Sequence, residues 1–182
     1  YKKIAQDVGI DAKTVREYFT ILYDTMIGEF VLPYSKSAGR EVISKIPKFY
    51  LFDTGLAGAI MKRKVEVEKG IEFGRAFEHY IFNEINAYKS YSEKGFDINY
   101  WRTKNDIEVD FILANAEVAI EVKGKSKITS RDFKGLNLFC DLYKPKKTIL
   151  VSNENSARKL DNGIEIYPWK IFLEKLWEGK II

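Results

Sequence analysis

One cysteine in 182 residues leaves no disulfide framework and no thiolate zinc site to organise the chain. Cys140 therefore reads as a small apolar residue on a helix. No apolar run approaches the roughly 20 residues of a membrane-spanning helix, and no signal peptide is visible. Together these absences predict a reducing, cytoplasmic setting and no membrane partner. Internal repeats and low-complexity tracts are missing as well. Histidine is nearly absent: His79 stands alone. Next to Glu78 on a helix, it points about a third of a turn away, and reads as a packing or surface residue rather than a general base. Neither sign of charge dominates, since 30 Lys and Arg face 26 Asp and Glu, a net of +4 that does not by itself identify a polyanionic partner.

What is present is a core. With 46% hydrophobic and 14% aromatic residues, the chain has enough for one large domain or two small ones. Charge is also unevenly placed. Residues 123–147 carry Lys123, Lys125, Lys127, Arg131, Lys134, Lys144, Lys146 and Lys147 against Asp132 and Asp141. Such a face either steers a polyanion or is a solvated helix and loop.

The first half, "YKKIAQDVGIDAKTVREYFTIL", places Ala5, Gly9, Ile10 and Val15 at helix-turn-helix spacing. Gly9 makes the turn, Ile10 and Val15 pack the helices together, and Asp11 caps the second one. Lys13, Thr14 and Arg16 lie in its first turns. Two strands around a polar loop with Lys36 and Arg40 follow in "EFVLPYSKSAGREVISKIPKFYLFD". The arrangement resembles a winged helix over residues 1–62, a unit that binds DNA or protein. "DTGLAGAIM" (53–61) predicts a capped helix, and the charged stretch 62–70 a linker. Residues 63–182 form the second predicted domain. It comprises a long helix (70–91), strands at 97–103, 107–114 and 117–123, a helix (130–143), strands at 146–152 and 163–167, and a helix (168–177). This αβββαβ order with a late extension predicts an α/β domain with a mixed sheet.

"EVDFILANAEVAIEVKGK" (108–125) reads as a hairpin. A two- or four-residue turn around Asn115 and Ala116 pairs positions summing to 231, so Asp110 opposes Glu121 and Glu108 opposes Lys123. Alternation puts Val109, Phe111, Leu113, Val118, Ile120 and Val122 on the core face. Glu108, Asp110, Ile112, Ala119, Glu121 and Lys123 share the other. Directly opposed carboxylates repel, so a cation, a shared proton or Lys123 must compensate them; otherwise the hairpin faces solvent and Glu108–Lys123 is a surface pair. Magnesium suits two such oxygen donors. On the long helix, Glu78 shares a stripe with Gly74, Ile81, Phe82 and Ile85, where a carboxylate needs a partner. Glu72 and Glu84 read as solvated. Gly74 would allow a close approach of sheet or substrate.

An acid on a helix, Asp on one strand and Glu-x-Lys on the next resembles the PD-(D/E)XK, or restriction-endonuclease-like, nuclease superfamily. The matching residues are Glu78, Asp110, Glu121 and Lys123. The whole chain further resembles the C-terminal region that follows AAA+ ATPase modules in prokaryotic proteins. It does so through "KFYLFDTGL", "GRAFEHYIFNEI", "YWR", "EVDFIL" and "AIEVK". The resemblance implies that an ATPase module missing from this chain is its partner. It also implies Mg²⁺- or Mn²⁺-dependent hydrolysis of nucleic acid, double-stranded DNA foremost. Asp110 and Glu121 would hold the metal, Glu78 would be a ligand or support, and Lys123 would stabilise developing charge. Glu108 is a further, weaker match. Duplex DNA would meet Lys13, Thr14, Arg16, Lys36 and Arg40. The rival reading is a catalytically inactive module that binds DNA, a partner protein or the ATPase.

Two other signals are set aside. "AIEVKGKS" (119–126) fits a loose phosphate-loop pattern, yet Ile120–Lys123 reads as strand, so no ATP site is assigned. Trp101, Trp169 and Trp177 read as core and interface, with base stacking by Tyr100 or Trp101 the minor alternative.

Overall fold

The computed structural model describes residues 1–35, 46–63, 65 and 67–182. Lys36 and Arg40 lie outside them. Helix α1 (Lys2–Val8) ends at Gly9, whose left-handed φ of 71° lets its N–H close the helix on the Ala5 carbonyl. Asp11 then caps α2 (Ala12–Asp24), its Oδ1 accepting from the N–H groups of Lys13 and Thr14 at 2.8 and 3.0 Å. Ala5 and Val15 are buried as their spacing predicts, but Ile10 is 39% exposed. Strands β1 (Gly28–Pro33) and β2 (Lys48–Leu51) pair antiparallel, and Asp53 caps the short helix α3 (Thr54–Ile60).

The long helix α4 (Gly70–Tyr91) spans the predicted residues. Strands β3 (Ile98–Arg102), β4 (Glu108–Leu113) and β5 (Val118–Lys123) follow it. A 3₁₀ turn (Ser130–Phe133) precedes α5 (Lys134–Tyr143), so the helix expected over 130–143 is divided. Then come β6 (Lys147–Ser152), a two-residue edge strand β7 (Arg158–Lys159) without sequence signal, β8 (Glu165–Pro168) and α6 (Trp169–Trp177). Among the described residues the strands form one mixed eight-stranded sheet ordered β2-β1-β3-β4-β5-β6-β8-β7, flanked by six helices in all.

Both faces of that sheet are covered. Phe77, Ile81, Phe82 and Ile85 of α4 and Phe172 and Leu176 of α6 pack on Phe111, Leu113, Val118, Ile120 and Val122. On the opposite face, Leu136 and Phe139 of α5 pack on Trp101, Val109, Ile112 and Ala119. Central strands buried on both sides need nearly continuous apolar sequence, as in Lys147–Ser152. Val109 therefore lies on the face opposite to the one alternation assigns.

The cause is a β-bulge. Strand β3 pairs Asn99 with Ile112 and Trp101 with Val109, so Asp110 and Phe111 together oppose Tyr100. A bulge re-aims a side chain, and here Asp110 turns toward α4. The β4–β5 register is the expected one, with Phe111, Ile112 and Leu113 opposite Ile120, Ala119 and Val118. The connection is the four-residue form, with Ala114, Asn115 and Ala116 all at positive φ.

The sheet also runs across the boundary placed between residues 62 and 63. Strand β1 pairs parallel with β3, joining Leu32 to Asn99 and Pro33 to Tyr100. Val31 and Tyr34 belong to the two core clusters of the second half. Among the described residues no helix is long and apolar enough to cross a membrane.

Candidate active site

At the bulge the hairpin opens. Beyond Phe111–Ile120 the Val122 N–H turns to the Asp110 carboxylate, donating to Oδ2 at 2.8 Å. Asp110 and Glu121 are both buried, at 7% and 6% exposure. Glu121 Oε1 accepts from Lys123 Nζ, and among the described residues its Oε2 is buried with no hydrogen-bond partner. A buried carboxylate oxygen left unpaired is costly and needs a cation, a proton or a water.

A residue that the sequence reading passed over organises the rest. Lys48 Nζ on β2 lies 2.9 Å from Glu78 Oε1, in contact with Glu108 Oε1, and 3.7 Å from Asp110 Oδ1. Tyr50, two residues on, donates its hydroxyl to the same Glu78 oxygen at 2.5 Å. Strand periodicity puts Lys48 and Tyr50 on one face of "KFYL", but their partner sits about 30 residues away, which local pattern does not reveal. The cross-strand Glu108–Lys123 pair does not form, because Glu108 turns to Lys48 and Lys123 to Glu121.

The acids divide in two. Burial opposes ionisation of Glu78, but Lys48 and the Tyr50 hydroxyl outweigh it and hold the carboxyl below its usual range. Burial, with the Glu78 charge nearby, raises Asp110 to about 6. Burial and the Asp110 charge push Glu121 well above the ordinary carboxylate range. Burial pulls both lysines down, yet Asp110 and Glu78 beside Lys48, and Glu121 and Asp110 beside Lys123, keep them above theirs. Glu78 is thus a satisfied anion, whereas at Asp110 and Glu121 the nearby lysines do not offset burial and the neighbouring acids.

Among the described residues no three His, Cys, Asp or Glu groups converge on one metal position. Magnesium keeps several waters and takes only one or two protein carboxylates, so the donor chemistry of Asp110 and Glu121, with the orphaned Glu121 oxygen, suits it. Glu78, engaged by Lys48 and Tyr50, is not free to join them. Gly74 meets nothing within 4 Å of an added Cβ; the close approach belongs instead to Gly124, which sits against Phe73 and the Gly74 Cα. A cavity of about 690 Å³ between α2, β2 and α4 shares Tyr50 and Phe82 with this region but none of its charged groups.

The other sequence candidates fall elsewhere. Thr14 spends its hydroxyl on Asp11, Lys13 is 3.8 Å from Glu17, and Arg16 lies over the Tyr1 ring. Tyr100 and Trp101 are both 1% exposed, which closes them to base stacking. His79 is buried and donates from Nε2 to the Leu51 carbonyl at 2.6 Å, a packing role as expected. Glu72 and Glu84 are not simply solvated: Glu72 pairs with Arg63 at 2.6 Å and Glu84 accepts from Trp177 at 3.0 Å. In the basic stretch, Lys125 pairs with Asp132 and Lys146 with Glu117, while Lys147 donates to the Lys180 and Ile181 carbonyls.

Fold and site together define a mixed α/β protein with a buried carboxylate–lysine cluster at the open end of a bulged hairpin. The chain belongs to the family described as Domain of unknown function (DUF4143), a domain found in AAA-ATPase-associated proteins, whose model matches residues 73–172. Residues 1–66 match a second family, Domain of unknown function (DUF8612). No curated protein and no solved structure matches the chain.

Proposed function

We propose that this chain hydrolyses nucleic-acid phosphodiester bonds with Mg²⁺ or Mn²⁺, as a PD-(D/E)XK-type nuclease joined to a winged helix. The observation that carries the reading is the unpartnered, buried Glu121 oxygen beside Asp110, with Lys123 on the other oxygen of the same carboxylate. A neutral structural role gives no reason to bury two acids together and leave one oxygen without a donor. Asp110 and Glu121 would hold the metal. When bound, the ion would polarise a phosphoryl oxygen and acidify a water. Lys123, 29% exposed at the rim, would stabilise charge developing on the phosphate and orient the attacking water. Glu78 supports the site through Lys48 rather than as a ligand. Gly9, Asp11 and the β1–β2 hairpin are compatible with a winged helix that presents Lys13 and Arg16 to duplex DNA, and an AAA-type ATPase remains the partner proposed for the chain.

A second reading has its own support. Lys48 and Lys123 already pair with Glu78, Glu108 and Glu121, as a structural ion network in an inactive binding module would. Cleavage assays on DNA and RNA with Mg²⁺ or Mn²⁺ separate the two. The nuclease reading expects metal-dependent cleavage, lost in Asp110→Ala and lowered on the order of 10²–10³-fold in Lys123→Ala. Metal affinity survives Lys123→Ala, because removing a cation beside two carboxylates does not weaken their attraction for another. Equal rates for Lys123→Ala and wild type would remove the lysine from the mechanism. No cleavage by wild type, with an ATPase module supplied, would leave the binding module.

A further inference from the structure

Four carboxylates, Glu78, Glu108, Asp110 and Glu121, share this region with the ammonium groups of Lys48 and Lys123, and the Arg102 guanidinium lies 3.7 Å from Glu108, so acids outnumber cations. The placement of Lys48 decides where that excess sits. It contacts Glu78 and Glu108 closely and Asp110 at 3.7 Å, while Lys123 takes one oxygen of Glu121. We infer that Lys48 is a positioning residue that engages Glu78 and Glu108 and thereby confines the divalent ion to Asp110 and Glu121. The inference rests on the metal-dependent reading above.

Lys48 is not a swinging surface side chain. Its strand is gripped by α4 at successive points. Glu78 binds both Lys48 and Tyr50, the His79 ring bonds the Leu51 carbonyl, and Asn83 donates to the Phe52 carbonyl at 3.1 Å. The Tyr50 ring lies stacked on Phe82, 4.3 Å between centroids. The ammonium is therefore a fixed cation, 23% exposed, at a defined place among the acids. Without it, Glu78 gains freedom to become a third carboxylate donor, and the local negative charge rises by one. Both changes favour tighter binding of Mn²⁺, and of Ca²⁺, which takes more oxygen ligands than Mg²⁺. Lys48 precedes residues 73–172, the part matched by the DUF4143 model, so the first half of the chain supplies a component of a site carried by the second.

Mn²⁺ titration followed by electron paramagnetic resonance, on the full chain, tests this without any turnover. Lys48→Met should bind Mn²⁺ at least tenfold tighter than wild type. Lys48→Arg should stay near wild type, and Lys48→Met combined with Glu78→Gln should lose most of the gain. A merely structural lysine would give weaker or equal binding when removed. Should Lys48→Met fail to fold, Tyr50→Phe removes one donor from Glu78 and no charge, and should tighten Mn²⁺ several-fold. Unchanged affinity in the folded variant used overturns the inference while leaving the metal site intact, provided that Asp110→Asn still abolishes binding. Absence of Mn²⁺ binding in wild type and Lys48→Met alike overturns both the inference and the metal-dependent reading.

Discussion

Asp110 is where a single side chain gathers most of the site's physics. The bulge turns it to α4, the Val122 N–H holds one oxygen, and burial with the Glu78 charge raises its folded pKa to about 6 from an ordinary 3.8. A carboxyl whose pKa is raised on folding stabilises the fold fully below its unfolded pKa and loses that contribution as pH rises through the folded value. For Asp110 the window runs from about pH 4 to above 6, and the amount is at most ~3 kcal/mol. Glu78 has the opposite sign, its lowered pKa adding stability that is lost on acidification. The difference between variants isolates Asp110. Asp110→Asn keeps an acceptor for Val122 and carries no charge, so it should gain on wild type in denaturant melts as pH rises from 4 to 8. Parallel pH profiles for the two proteins would exclude a buried Asp110 charge.

Among the elements, α5 shows how closely the site's framework is packed. Its Gly135 lies against the start of β4, where an added Cβ would come 2.0 Å from the Glu108 carbonyl oxygen. Elsewhere in a helix, Gly→Ala stabilises by ~1 kcal/mol. Here the obstacle is backbone, so either the helix or the strand must shift, and overpacking of this kind costs ~1–3 kcal/mol. Gly135→Ala should therefore lower the melting temperature, and a rise would show that α5 sits further from β4. Because Glu108 also pairs with Lys48, the same substitution should disturb the carboxylate cluster.

The whole molecule is tied together by a short parallel pairing, beside the bonds that α4 makes to β2. Leu32 and Pro33 meet Asn99 and Tyr100, the Tyr34 N–H donates to the Tyr100 carbonyl at 2.6 Å, and the Asn99 side chain donates to the Leu32 carbonyl. On the first half's own helices α1 and α2, only Ala5 and Val15 are buried. Its strands instead lean on the larger core, through Val31 on one face and Tyr34 on the other. A thin unit anchored this way should not unfold separately. Differential scanning calorimetry should give one transition, with calorimetric and van't Hoff enthalpies in agreement. Two resolved transitions would mean that the halves are independent.

How much of this was legible beforehand follows from the range of each interaction. Local chemistry was readable: the Asp11 and Asp53 caps, the Gly9 turn, the span of α4 and the β4–β5 register follow from neighbours a few residues apart. Glu78 was legible as a charge in an apolar helical stripe, and Asp110, Glu121 and Lys123 as neighbours on one hairpin face, while their grouping into one set came from the family resemblance. The bulge was not, since two-residue periodicity contains no sign of the extra residue that places Asp110 and Phe111 together opposite Tyr100. Lys48 was not either, because its carboxylate partners come from α4 and β4, brought to β2 only when the sheet closes. The sequence by itself determined the longer elements and marked Glu78, Asp110 and Glu121 as acids in need of a partner. Only the tertiary structure decided which cation pairs with which acid, because through-space electrostatics depends on separations that chain position does not encode.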